Sequence, residues 1–109
     1  MDLDRNLNSD GKGKYALINL RKLDGNPQTA EEVAAAILRN PEAVEFGNVG
    51  TESEFFVIKL KDIHADAALR AYADDVLDNG KPEHQTYAGQ VIVMANRAGA
   101  ANPFCKHPD

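Results

Sequence analysis

The segment Glu54-Phe55-Phe56-Val57-Ile58-Lys59-Leu60-Lys61 places Phe56, Ile58 and Leu60 on one face and Phe55, Val57, Lys59 and Lys61 on the other. A repeat of two fits a strand and no helix, so any fold for this chain starts from a sheet. Residues 14 to 23 repeat the pattern, with Ala16, Ile18 and Leu20 on one side and Tyr15, Leu17, Asn19 and Arg21 on the other. Between the two, Asp24-Gly25-Asn26-Pro27 is a turn signal, and Thr29 with Glu32 three residues on is a capping box ahead of Val33, Ala34, Ile37 and Leu38. A helix from about residue 30 to 39 follows, ending at Asn40-Pro41 because proline disfavours helical backbone in the residue before it. Val44 to Val49, a turn over Gly50 to Ser53 and the long strand Glu54 to Lys61 then read as a hairpin.

Leu69, Tyr72, Ala73, Val76 and Leu77 recur at helical spacing, with Asp62 and Asp66 near the start and Asn79-Gly80 as the stop. Pro82 suits the first turn of a third helix whose stripe is Tyr87, Val91, Met94 and Ala98. The β-branched run Val91-Ile92-Val93 fits a strand as well. The expected fold is α+β, a small three-stranded sheet in the order β-α-β-β-α-α with helices packed on one face. Residues 1–12 read as a flexible arm, 13–99 as a single domain and 100–109 as a tail.

The charge balance argues against a nucleic-acid-binding role, though it leaves room for a local basic patch. Twelve basic side chains against 17 acidic give a net charge of −5, whereas nucleic-acid binding rests on a net basic face that releases counterions. A lone cysteine forms no intramolecular disulfide, and Met-Asp-Leu-Asp-Arg-Asn lacks the basic and apolar segments of a secretion signal. A cytoplasmic protein is expected. No run of apolar residues is long enough to span a membrane.

Two surfaces stand out. The second face of each alternating segment begins apolar and ends basic, which leaves Tyr15, Leu17, Phe55 and Val57 for burial after the helices cover the other face. Each such side chain contributes about 1.5–3 kcal/mol when fully buried, and a second copy of the chain is the economical cover. These four are the expected interface of a homo-oligomer. The other surface is charged. Lys14, Arg21, Lys59 and Lys61, with Lys12 between Gly11 and Gly13, suit a small anionic ligand such as a nucleotide, with Tyr15 or Phe55 for stacking. Glu31, Glu32, Glu42 and Glu45 lie on the acidic side and suit the steering of a protein partner.

Signals for chemistry are weaker. Asn6, Asn8, Asp10 and Gly11 open like a calcium loop, but its twelfth position is Leu17, which offers no carboxylate. Cys105-x-His107 needs further ligands, and the other imidazoles are His64 and His84. No metal and no cofactor is expected. His64, between Asp62 and Asp66, is the best candidate for acid–base work, and Cys105, near Lys106 and His107, for a nucleophile. Each also reads as an ordinary helix start and an incidental thiol. No nucleophile elbow, dinucleotide fingerprint or H-E-x-x-H is present, so a non-enzymatic role is expected.

The segments GKGKYALINLRKL, EFFVIKLKD followed by ALRAYA, and RAGAANPFCKHPD resemble small uncharacterised proteins encoded by phages and prophages. The resemblance spans these three blocks and brings no functional residue with it. What it implies is context: a phage-type accessory or anti-defence inhibitor that binds a host protein stoichiometrically. An oligomeric sponge for an anionic ligand and a small enzyme using His64 or Cys105 are the alternatives.

Overall fold

A computed structural model describes residues 15–108 of the chain. It mixes helix and sheet, with about 51% of residues helical, so the balance lies further toward helix than the sequence pattern suggests. The chain divides into two compact units at Val57/Ile58.

In the first unit, Leu17–Ile18 (β1) pairs antiparallel with Val44–Glu45 (β2), Leu17 opposite Glu45 and Ile18 opposite Val44. The expected strand from 14 to 23 is cut to two described residues because Asn19 turns the backbone. Its side-chain oxygen accepts from Arg21 N at 3.1 Å and starts a 3-10 turn over Leu20–Lys22. Short polar side chains compete with a ladder in this way. Gly25 (φ 74°) and Asn26 (φ 46°) then reverse the chain, and Thr29 caps the helix Ala30–Arg39 (α1) by accepting from Glu32 N at 3.1 Å. The Glu32 carboxylate reaches back to Gln28 N at 3.0 Å, one residue ahead of the cap. Arg39, at the far end, grips Asp24 at 2.8 Å and ties the helix end to the turn. That guanidinium holds the Asp24 carboxyl below its usual range, but both side chains are more than half exposed and the pair adds little stability.

The core of this unit is Leu23, Ala36 and Ala43, with Val33 and Ile37 packed on it. The expected core residues Ala16, Ile18 and Leu20 are exposed. The expected hairpin does not form. Among the described residues the sheet has two strands, and residues 54–59 join no ladder. Gly47 (φ 59°) and Gly50 (φ 81°) both adopt left-handed backbone, which breaks the extended run after Glu45. Glu54 accepts from Gly50 N at 2.9 Å and the Phe55 ring lies against Gly47, where any Cβ would collide with it. Ring packing on a glycine thus occupies the place where main-chain pairing was expected. Phe56 is 69% exposed and Ile58 is exposed too, contrary to their expected place in the core.

The second unit is a helical hairpin. Asp62 accepts from His64 N at 2.8 Å, an Asx turn that opens Ala65–Asn79 (α2). Gly80 stops that helix, and a 3-10 turn over Pro82–His84 leads into Gln85–Ala95 (α3). The Val91-Ile92-Val93 run is therefore helical. Ala65 and Ala73 of α2 are buried, as are Ala88, Val91 and Ala95 of α3 and Ala98 and Gly99 beyond it. Alanines let two helix backbones approach closely, at the cost of little apolar area. The C-terminal residues are pinned beside the start of α2: Lys106 N donates to Lys61 O at 2.8 Å and Ile63 N to Lys106 O at 2.9 Å.

Candidate binding surfaces

Of the four expected interface residues, Leu17 lies in β1 and Tyr15 two residues before it, both exposed; Val57, at the end of the unit, is 38% exposed. Phe55 is half-buried against Gly47. All four belong to the first unit. The apolar residues on its surface extend beyond them to Leu20, Leu38, Phe46, Val49 and Phe56.

The acidic residues are explained in part by local structure. Glu31 and Glu32 sit in the first turn of α1, where carboxylates favour the helix dipole, and Glu32 is engaged with Gln28 N. Glu42 lies in a 3-10 turn over Pro41–Ala43 and Glu45 in β2. All four are exposed. Of the basic set, Arg21 is exposed on the first unit's 3-10 turn, whereas Lys59 and half-buried Lys61 belong to the second unit. Lys14, the Lys12 glycine loop and the calcium-like Asn6 to Gly11 segment fall outside the described residues.

Asp62 engages His64 through the main chain, its side-chain oxygen accepting from that residue's N–H. Cys105 is a half-buried free thiol whose backbone N–H is bound to Asn102 O at 3.0 Å. What stands beside His64 is His107. Their ring centroids are 6.4 Å apart at an interplanar angle of 72°, held by the main-chain bonds of Lys106. Sequence spacing gave no hint of this, since the two residues are separated by both helices.

A tyrosine pair was likewise hidden. Tyr72 of α2 and Tyr87 of α3, assigned to apolar stripes by periodicity, are half-exposed, and their hydroxyls hydrogen-bond at 2.8 Å with the rings edge to face at 6.1 Å. The Tyr87 hydroxyl keeps the proton on Tyr72 and raises its pKa above the usual value near 10. Because the folded state holds that proton more tightly than the unfolded one, the pair's contribution to stability is complete below about pH 10. It is lost as pH rises from there through the raised pKa. In an alkaline titration followed by ultraviolet absorbance, one phenol is expected to ionise late, and Tyr87→Phe to bring that transition down.

Comparisons with protein-family models, with curated proteins and with solved structures give no match. Among the described residues, no helix is long and apolar enough to cross a membrane.

Proposed function

We propose that this chain is a non-enzymatic cytoplasmic binding protein, oligomeric through Tyr15, Leu17, Phe55 and Val57, that acts by stoichiometric occlusion of a host protein. One observation carries the reading: among the described residues no large side chain is fully buried, while large apolar side chains including Tyr15, Leu17, Phe56 and Val57 remain on the surface. A chain that keeps alanines inside and aromatics outside has apolar area to spend on association. Glu31, Glu32, Glu42 and Glu45 supply a steering field that raises the rate of encounter with a basic partner. The anti-defence context rests on the phage-protein resemblance alone.

Native mass spectrometry of protein purified gently from cells tests this. The expected result is an oligomer without added small-molecule mass, which Val57→Glu dissociates into folded monomers. A monomeric wild-type chain refutes the interface. An oligomer that retains a stoichiometric anionic mass, lost on Lys59→Glu, replaces occlusion of a protein with sequestration of a ligand. Loss of a defence-inhibition phenotype on His64→Ala or Cys105→Ala, with assembly intact, would move the protein to the enzyme class.

A further inference from the structure

We infer that His64 and His107 form a two-imidazole site for a divalent transition-metal ion, with Zn2+ as the reference ion. The two residues approach from different parts of the chain, His64 held through its own main chain and His107 through that of its neighbour Lys106. His64 stands at the Asx turn that opens α2, and His107 follows Lys106, whose N–H and carbonyl are bonded to Lys61 and Ile63 on either side of Asp62. Both side chains are exposed. A side-chain rotation of either therefore disturbs no packing.

A small closure brings the spacing to that of one shared ion. With a zinc–nitrogen bond of about 2.0–2.1 Å, the metal lies about 3.2 Å from a ring centroid, so two rings on one ion have centroids about 5.2 Å apart at a tetrahedral angle and about 6.4 Å apart when opposed. The observed 6.4 Å is the open end of that range, and a closure of about 1 Å by rotation of exposed side chains reaches the tetrahedral value. Neutral imidazole prefers zinc, nickel and copper over magnesium or calcium, which take oxygen ligands. In sequence, Lys61 and Lys106 lie close to the pair, as do Asp62 and Asp66, two charges of each sign. No third imidazole, thiol or carboxylate joins the pair among the described residues. Solvent completes the coordination, and the ion is exchangeable, unlike one in a closed four-ligand site.

The test is a titration of the full chain with zinc chloride at neutral pH, followed by the imidazole NMR signals of the three histidines. The expected result is that His64 and His107 shift together and saturate while His84 does not respond, and that magnesium produces no shift. His64→Asn and His107→Asn, each confirmed folded by circular dichroism, are each expected to weaken binding by about tenfold or more, because the second ligand acts at high effective concentration once the first is bound. Cys105→Ser is expected to leave the titration unchanged. Equal responses from all three histidines, a His107 shift that survives His64→Asn, loss of binding in Cys105→Ser, or no shift at millimolar zinc would each overturn the site.

Discussion

Ala88→Leu is expected to destabilise the α2–α3 hairpin by about 1–3 kcal/mol, the usual cost of forcing extra methylenes into a packed interior. Ala88 on α3 and Ala73 on α2 are both 0% exposed, so a longer side chain at position 88 has no open space to enter. A leucine there must separate the helices or leave its favoured rotamers. In thermal unfolding the melting temperature should fall on the order of 10 °C. Val93→Leu, which also enlarges an α3 residue but one that is 60% exposed, should stay within about 0.5 kcal/mol of wild type. If Ala88→Leu were as harmless as Val93→Leu, the close approach of α2 and α3 at that point would be wrong.

What could be read in the sequence depended on how local its cause was. The end of α1 at Asn40, its Thr29 cap, the Asp24-Gly25-Asn26 turn and the Asn79-Gly80 stop all follow from a few adjacent residues, and all are present. Residues 54–59 join no ladder among the described residues, and alternation shows only that a segment is able to pair. Whether it pairs depends on the neighbouring backbone, and Gly47 and Gly50 take that backbone out of the extended region. Gly47 and Gly50 were visible in the sequence but were assigned to strand and turn; their left-handed φ angles and the Phe55 ring on Gly47 were not.

The candidate surfaces divide in the same way. Glu31 and Glu32 in the first turn of α1 and Glu42 in the turn after it are exposed, as short-range polar signals would have it. The His64–His107 and Tyr72–Tyr87 pairs arise from contacts across the hairpin fold, and no spacing rule in a single sequence reports such contacts. Part of the alanine signal was passed over. Ala73 and Ala98 stood in the expected apolar stripes, but Ala65, Ala88 and Ala95 did not; all five are buried, whereas Tyr72, Leu77, Tyr87 and Met94 are exposed.

Leu23→Ala is expected to be the most damaging single truncation in the first unit, costing about 2–5 kcal/mol against a total of about 5–15 for a domain of ordinary stability. Leu23 is the largest buried side chain of that unit's core, and its fully buried neighbours Ala36 and Ala43 have nothing to extend into the space it leaves. Only Val33 and Ile37, half-buried on α1, can relax inward. A persistent cavity puts the cost toward the upper part of the range. Leu38→Ala removes the same atoms from α1 at a position 86% exposed and should change stability by about 0.5 kcal/mol or less. Urea denaturation of the two variants compares one chemical deletion in two environments. The same pair also tests how the proposed interface is presented, because Tyr15, Leu17, Phe55 and Val57 sit on the unit that Leu23 holds together. Leu23→Ala should therefore lose assembly at a lower urea concentration than Leu38→Ala. Assembly that persisted after the Leu23 unit had unfolded would place the interface on the α2–α3 hairpin.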